Sequence, residues 1–292
     1  MGNRIFLFIV TNLAIVLTMT IVLSFLGISS GVTPGGINIG ALAVFCLIWG
    51  MVGSFISLQL SRWLAKRATR ATLVDGRTGR AELDWLYSTV ARLTRQAGLP
   101  MPEVAVYDSP EVNAFATGPS RSRSLVAVST GLMRSMRQDE VEGVLAHEVA
   151  HIANGDMVTM ALLQGVVNAF VMFLARLIAH AITRTGDGRS GGGMYFLVVI
   201  VLQIVLGILG SMVTAWFSRQ REFRADYGGA TLAGKSKMIG ALQRLAANRQ
   251  LVDTRHEALA TMKINGAGRW MVFLHTHPPL EVRIAALEKA RM

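Results

Sequence analysis

The chain has 292 residues, of which 52% are hydrophobic and 16% are charged, and its mean hydropathy is +0.44. This composition is too apolar for an ordinary soluble globular protein. The 29 basic and 18 acidic residues give a net charge of +11. The basic residues cluster beside apolar segments without interleaved aromatic residues, which argues against nucleic acid as a partner. The single cysteine, Cys46, excludes an intramolecular disulfide and a cysteine-based metal site.

Long segments without charged residues predict an integral membrane protein. The segment from Ile5 to Ser61 contains no Asp, Glu, Lys or Arg, and neither do Met157–Ala175 and Met194–Ser218. A helix of about 20 apolar residues spans the hydrocarbon core of a bilayer. We therefore predict four transmembrane helices, at about residues 5–27, 37–60, 157–182 and 194–217.

The basic residues beside these segments predict their orientation. Arg4 precedes the first span and a basic group begins at Arg62, so the positive-inside rule places both flanks in the cytoplasm. An even number of spans then returns the C-terminal part to the same side. The predicted fold class is a mostly α integral membrane protein with four transmembrane helices and a cytoplasmic α+β domain containing a small sheet. Its parts are a transmembrane hairpin at 1–61, a cytoplasmic part at 62–156, a second hairpin at 157–217 and a cytoplasmic part at 218–292.

Hydrophobic periodicity and turn signals predict the elements of the cytoplasmic parts. Apolar residues recur at helical spacing from Ala81 to Ala97, and the pattern stops at Gly98-Leu99-Pro100. Short apolar runs between turn-forming residues predict three strands, and other segments have helical patterns. The strands are Glu103–Tyr107, Asn113–Thr117 and Ser124–Ser129, and the further helices are Gln138–Ala153, Lys237–Asn248 and Leu280–Ala290.

The predicted helix Gln138–Ala153 contains the pattern H-E-x-x-H. His147 and His151 are four residues apart, so one face of the helix carries both imidazoles. Zinc binds neutral imidazole, and a catalytic zinc usually takes three protein ligands and a water. Glu148 is then placed to accept a proton from that water. By itself the pattern also fits a buried structural histidine pair, so a third ligand is needed to decide.

Glu222 is the acidic residue that topology places best as a third ligand. The histidine helix directly precedes the third predicted span and Glu222 directly follows the fourth, so a hairpin of these spans brings them to one membrane face. Asp226 lies one helical turn after Glu222 and could accept the second N–H of a ligating imidazole. The alternative is a solvated acidic pair that offsets the neighbouring arginines. These arginines are Arg219, Arg221 and Arg224.

The acidic start of the histidine helix predicts that it lies outside the hydrocarbon core. Some intramembrane proteases carry H-E-x-x-H within a transmembrane helix, but here Asp139, Glu140 and Glu142 occupy the first turns. Each of these charges would cost about 2.5 kcal/mol or more at bilayer depth. In the first turns of a helix outside the bilayer, the helix dipole favours the same residues. The predicted site therefore lies at or beyond the cytoplasmic surface.

These motifs resemble those of the HtpX family of heat-shock membrane proteases. The resemblance rests on His147–Asp156 (HEVAHIANGD), a following span and Glu222–Asp226 (EFRAD), and it covers nearly the whole chain. It implies a gluzincin-type zinc metallopeptidase domain, related to the prenyl-protein endopeptidases. Two further segments match the family pattern. Asn113–Gly118 is similar to its active-site strand, and Thr276–Pro279 with Arg283 is similar to its C-terminal motif.

The resemblance also implies roles for residues beside the metal. The expected substrate strand comprises Asn113, Ala114, Phe115 and Ala116. It would pair with an extended peptide, unless it is an ordinary buried strand of the sheet. His277 would stabilise the oxyanion, although a plain surface histidine fits the sequence nearly as well. Arg283 would pair with Asp226, or else it is a solvated helix residue.

The implied activity is that of a membrane-bound zinc endopeptidase with one Zn²⁺ per chain. His147, His151 and Glu222 would hold the zinc, and Glu148 would act as general base. The implied substrates are misfolded or damaged membrane proteins, cut at cytoplasmic segments in protein quality control and the stress response. The expected location is the bacterial inner membrane, with the site and both termini in the cytoplasm. Other membrane quality-control proteases are expected as further partners.

Two alternatives stay open from the sequence. A prenyl-protein-type endopeptidase would use the same chemistry on a lipidated substrate, although four spans leave little room for a large lipid-lined chamber. A non-catalytic membrane protein could hold a structural zinc. Such a site normally closes with four protein ligands, and the sequence offers no fourth Cys or His with fitting context. No residue pattern indicates a cleavage preference or an oligomeric state.

Overall fold

The computed structural model describes residues 36–183, 192–255 and 276–291, together with residues 17, 21, 24, 25, 27, 32 and 33. The first predicted span, at about residues 5–27, therefore falls almost entirely outside the described residues. The chain divides into two compact units. One comprises Met1–Leu58 and Thr159–Thr214, and the other comprises Gln59–Val158 and Ala215–Met292.

The elements that the structure describes range from two-residue strands to a helix of 42 residues. The helices are α1 (Ile39–Thr69), α2 (Ala81–Gln96), α3 (Thr130–Ser135), α4 (Gln138–Asn154), α5 (Asp156–Thr183), α6 (Gly192–Ala233), α7 (Lys235–Arg255) and α8 (Leu280–Lys289). The strands are β1 (Val32–Thr33), β2 (Gly36–Ile37), β3 (Thr72–Val74), β4 (Glu103–Tyr107), β5 (Ala114–Ser120) and β6 (Arg123–Ser129).

Three helices of the described part, α1, α5 and α6, are long and apolar enough to cross a membrane by length and composition. Large apolar side chains on them are exposed, among them Phe55, Phe170 and Phe196, as expected of surfaces that face lipid. Both α1 and α6 continue beyond the predicted span ends at residues 60 and 217. The reason is that arginine and lysine end an apolar segment but are good helix formers, so the backbone stays helical.

The second unit contains a four-stranded mixed sheet with the strand order β3-β4-β6-β5. Strands β4 and β6 are parallel, and the other neighbouring pairs are antiparallel. β4 coincides with its predicted range, whereas β5 begins one residue late and ends at Ser120. β3 and α3 are not predicted from the sequence, because elements of three and six residues are too short to show a period. β5 is an edge strand of this sheet.

One apolar cluster joins α2, α4 and one face of the sheet. Its fully buried side chains include Leu86, Leu93, Val126, Leu145 and Ile152. Burial of each stabilises the fold by about 1.5–3 kcal/mol. A smaller cluster around Ala105, Tyr107, Leu125 and Ala127 covers the opposite face. This packing fixes the backbone of α4, the helix that carries the H-E-x-x-H pattern.

Two buried acids of α4 have polar partners. Glu142 Oε1 lies 2.9 Å from Arg92 Nη2 on α2 and 2.7 Å from Lys237 Nζ on α7. Glu140 Oε2 accepts a hydrogen bond of 2.8 Å from the Arg137 backbone N–H at the helix start. The sequence predicts only that the helix dipole favours these acids. The fold also pairs them, which offsets the cost of burying their charge.

A one-residue turn joins α4 to α5. Gly155 has a φ of 70° and a left-handed conformation, and its N–H points to the His151 and Ile152 carbonyl oxygens. Glycine adopts this conformation without the steric cost that other residues meet. Asp156 is therefore the first residue of α5 and lies five residues after His151.

Candidate metal centre

The two histidines of the H-E-x-x-H pattern lie one turn apart on α4, and their Nε2 atoms are directed toward one point. Their Nε2 atoms are 3.1 Å apart, and their rings meet edge to face with centroids 4.6 Å apart. His147 is buried and His151 is nearly so. The spacing of four residues therefore brings both ring nitrogens to one point, as the sequence predicts.

Glu222 on α6 completes this group. Its Oε2 atom lies 3.6 Å from His147 Nε2, and its Oε1 atom lies 3.5 Å from His151 Nε2. The approach depends on glycine, because a Cβ at Gly229 would lie 3.0 Å from the backbone nitrogen of His147. A Cβ at the neighbouring Gly228 would likewise lie 2.9 Å from the Cβ atom of Ala150. Two adjacent glycines thus let α6 pack directly on the histidine helix.

The three side chains lie close enough together to hold one zinc ion. Donors at about 2.0 to 2.1 Å from a tetrahedral ion are about 3.3 Å apart. His147 Nε2 lies 3.1 Å from His151 Nε2 and 3.6 Å from Glu222 Oε2, and His151 Nε2 lies 3.5 Å from Glu222 Oε1. Within the described residues, these side chains form a group able to hold a metal ion. Two imidazoles and one carboxylate also match the donor chemistry of a catalytic zinc site.

Asp226 and Arg283 contact the His147 ring at its Nδ1 atom. Asp226 Oδ1 lies 2.9 Å from His147 Nδ1. Arg283 donates two hydrogen bonds to Asp226, at 2.7 Å from Nε and 2.6 Å from Nη2, and its Nη1 lies 3.0 Å from Glu222 Oε2. Arg283 is buried, so it is not the solvated helix residue of the alternative prediction. A bidentate guanidinium fixes the carboxylate, and the carboxylate in turn fixes the imidazole.

His151 has a carboxylate partner that the sequence analysis misses. Asp156 Oδ2 lies 2.7 Å from His151 Nδ1, and the Asp156 side chain is 1% exposed. In the sequence, Asp156 is only the last residue of the HEVAHIANGD motif, and no partner is predicted for it. A signal was present, because a glycine just before Asp156 permits the chain to turn back toward the last helical turn. The orientation of the side chain, however, depends on the start of α5.

Hydrogen bonding decides the charge of the two imidazoles. Burial lowers the pKa of His151, but hydrogen bonds to Asp156 and Glu222 outweigh it and raise the pKa to about 9. Burial also lowers the pKa of His147, and hydrogen bonds to Asp226 and Glu222 outweigh it, so this pKa lies above its ordinary value. Burial raises the pKa of Glu222, yet the imidazoles hold it well below its ordinary value. A metal ion must therefore displace protons from this site.

The proposed base and the C-terminal histidine lie beside this group. Glu148 is half-buried on α4, and its charge contributes to the raised pKa values of both imidazoles. His277 Nδ1 lies 3.0 Å from Glu222 Oε2, and the His277 side chain is 66% exposed. His277 is thus next to the metal-binding carboxylate while most of its ring stays accessible. That placement distinguishes it from a plain surface histidine.

The predicted substrate strand lies at the edge of the sheet. Asn113 is exposed and precedes β5, and its backbone N–H donates a hydrogen bond of 3.1 Å to Ser129 Oγ. Ala114 and Ala116 pack against the cluster that includes α4, while Phe115 faces the other side of the sheet. Among the residues that the structure describes, β5 pairs with β6 along one edge and with no strand along the other. It is therefore not an interior strand of the sheet.

Comparisons with known proteins agree with this geometry. The profile of peptidase family M48 matches residues 80–291. Protease HtpX of Idiomarina loihiensis is 51% identical over 291 residues, which cover 99% of this chain and 100% of that protein. A protease HtpX homolog of Bacillus licheniformis is 53% identical over 296 residues, which cover 99% of each chain. The crystal structure of S. mikatae Ste24p has a similar fold, with a TM-score of 0.63 and 18% identity, over 99% of this chain and 67% of that chain.

Proposed function

The chain belongs to peptidase family M48 and is a membrane metalloprotease, and from this premise we propose that its metal is zinc, one ion per chain. His147, His151 and Glu222 hold the ion. The observation that carries the proposal is that each pair of these side chains brings donor atoms to within 3.1 to 3.6 Å, close to the spacing in a tetrahedral zinc site. Three protein donors leave one position open for water, as catalytic zinc sites do.

The protein residues around the ion supply the proton transfers. When bound, zinc acidifies a water molecule and polarises the substrate carbonyl. Glu148 accepts the proton of the attacking water and delivers it to the nitrogen of the leaving amine, so the C–N bond breaks and two uncharged chain ends form before ionisation. His277 donates a hydrogen bond to the oxyanion, in keeping with its exposed position beside Glu222. Asp226 and Arg283 keep the His147 ring oriented throughout.

Main-chain pairing with β5 explains how such an enzyme selects its substrates. The segment Asn113–Ala116 runs along an open sheet edge that packs against the histidine helix. An extended peptide can add to such an edge through backbone hydrogen bonds and make few demands on sequence. A folded domain cannot offer an extended strand. Unfolded segments are therefore the preferred substrates.

The proposed setting is the bacterial inner membrane, with the site and both termini in the cytoplasm. The support is the position of the basic residues beside the three described membrane helices. The proposal includes a further span at about residues 5–27, which would make four in all. The substrates are misfolded or damaged membrane proteins, cut at cytoplasmic segments during protein quality control and stress. Other membrane quality-control proteases are partners in this process. Anionic lipid head groups contact the basic flanks of the spans.

A prenyl-protein-type endopeptidase is the second candidate, because it would use the same metal site and the same proton transfers on a lipidated substrate. The two candidates differ in substrate, since only the second requires a lipidated peptide. Cleavage of unmodified casein by the purified protein favours the first. Cleavage confined to a farnesylated peptide favours the second. A non-catalytic protein with a structural zinc would cleave neither.

The decisive experiment compares the wild type with Glu148→Gln in detergent, measuring bound zinc and the cleavage of unfolded casein. We expect zinc to stay near one per chain while cleavage falls by about 10²- to 10⁴-fold, the contribution of a general base. Glu82→Gln, an exposed residue at the start of α2, is the matched control and should cleave normally. Cleavage at the wild-type rate by Glu148→Gln would exclude Glu148 as the base. Normal zinc content in Glu222→Ala would exclude Glu222 as a ligand.

A further inference from the structure

Asp156 is a buried carboxylate with two oxygens in different surroundings. Oδ2 lies 2.7 Å from His151 Nδ1. Within the described residues, Oδ1 is buried and accepts no hydrogen bond. Oδ1 forms a long ion pair with Arg224, whose Nη2 atom lies 3.7 Å away. A buried carboxylate oxygen without a hydrogen bond is costly, so this arrangement calls for a function.

We propose that Asp156 positions His151 for metal binding and that Arg224 supplies the counter-charge of Asp156. This role rests on the proposed zinc site, and it accounts for the contacts of Asp156 with His151 and Arg224. A carboxylate that accepts the Nδ1 proton fixes the ring tautomer, and it leaves the lone pair of Nε2 free for a metal. His151 Nε2 faces the shared point of the site, 3.1 Å from His147 Nε2. Asp156 is thus a positioning residue that acts through His151.

The two histidines then have parallel supports of different rigidity. His147 is supported by Asp226, which Arg283 binds at 2.6 and 2.7 Å with a side chain that is only 7% exposed. Arg224 approaches Asp156 only to 3.7 Å, and its side chain is 62% exposed. A shift of about 1 Å would bring it within hydrogen-bond distance. The pair of Asp226 and Arg283 is buried, whereas Arg224, the partner of Asp156, is exposed to solvent.

The turn at Gly155 explains why Asp156 can reach His151. The left-handed turn ends α4 and starts α5 in one residue, so the first side chain of α5 folds against the last turn of α4. A purely structural role would be to favour the start of α5 through the helix dipole. Asparagine also serves well at a helix start. It is uncharged, however, and is a weaker acceptor for the Nδ1 proton. Replacement by asparagine therefore separates the two roles.

The test measures zinc affinity by competition with a chelator in full-length protein in detergent, without substrate. We expect Asp156→Asn to bind zinc about 10- to 100-fold more weakly, the usual effect of losing such a partner. Arg224→Gln should weaken binding about two- to fivefold, as expected of an exposed ion pair. Asp139→Asn, an exposed acid at the other end of the histidine helix, is the matched control and should leave zinc affinity unchanged.

Cobalt in place of zinc gives a second readout, because its visible spectrum reports the ligand geometry. We expect an altered cobalt spectrum in Asp156→Asn and the wild-type spectrum in Asp139→Asn. Wild-type zinc affinity and cobalt spectrum in Asp156→Asn would overturn the proposal. If that variant does not fold, an unchanged zinc affinity in Arg224→Gln overturns it, and a weaker one supports it. Because no substrate is present, these outcomes are independent of whether the protein cleaves casein.

Discussion

Arg283→Met should strongly destabilise the metal-free protein. Arg283 joins two buried carboxylates, with bonds of 2.6 and 2.7 Å to Asp226 and a contact of 3.0 Å to Glu222. The carboxylate side chains are only 2 and 3% exposed, so water cannot replace the guanidinium. Removing one partner of such a buried pair costs about 3 to 5 kcal/mol. Methionine fills most of the space, so the loss should come from charge rather than from packing.

The measurement is the urea midpoint of unfolding in detergent, after zinc is removed with a chelator. Pulse proteolysis detects the unfolded fraction at each urea concentration. A Glu148→Gln background prevents self-cleavage. With a slope of about 2 kcal/mol per M, the midpoint should fall by roughly 1.5 to 2.5 M. Lys289→Met, an exposed position on the same helix, is the control and should change stability by less than about 0.5 kcal/mol.

A second substitution tests the reason for the loss. If the cost is an unpaired buried charge, Asp226→Asn in the Arg283→Met background should recover part of the stability, because it removes that charge. Zinc should also reduce the cost, since the ion neutralises Glu222. A midpoint for Arg283→Met within about 0.25 M of the wild type would refute the argument. It would mean that the carboxylates are satisfied without the arginine.

Three further predictions concern the metal site. Gly229→Ala should weaken zinc binding several-fold, because its Cβ would lie 3.0 Å from the backbone nitrogen of His147. Gly240→Ala, whose Cβ would have no neighbour within 4 Å, should not change the chelator competition. The pKa of His151 is raised from 6.5 to about 9, so its contribution to metal-free stability is complete below pH 6.5 and is lost as the pH rises through about 9. The free energy of unfolding of the metal-free protein should therefore fall by roughly 3 kcal/mol between pH 6.5 and 9.5, which lowers the urea midpoint by roughly 1.5 M; an unchanged midpoint would contradict the hydrogen-bond assignment. His277→Ala should retain zinc and lose about 10²-fold in casein turnover, and unaltered turnover would remove its role at the oxyanion.

Much of the fold follows from local pattern. The helix predicted at Ala81–Ala97 is found at Ala81–Gln96, and the histidine helix ends one residue later than predicted. Periodicity and strong turn residues mark these elements, so neighbours in sequence are enough to locate them. The extensions of α1 and α6 are not marked in this way. In both helices the backbone stays helical past the end of the apolar segment.

The site illustrates a different limit. His147 and His151 follow from their spacing, and topology alone brings Glu222 beside them. Asp156 could not be placed in the same way, because its contact depends on a backbone turn and on the start of the next helix. Sequence spacing predicts which residues share a face of one helix. It does not predict which side chain folds back across a junction between two helices.

The continuity of α6 sets the distance along one helix between its uncharged segment and Glu222. This helix runs unbroken from Gly192 to Ala233, and its uncharged segment ends at Ser218, four residues before Glu222. At 1.5 Å per residue the ligand lies about 6 Å beyond that segment along the helix axis. An extended polypeptide covers the same distance in about two residues. On the proposed function, a chain anchored in the same bilayer would be held at a high effective concentration near the metal site, while a soluble chain would have to find it by diffusion. The proposed preference for membrane proteins would then need no recognition sequence.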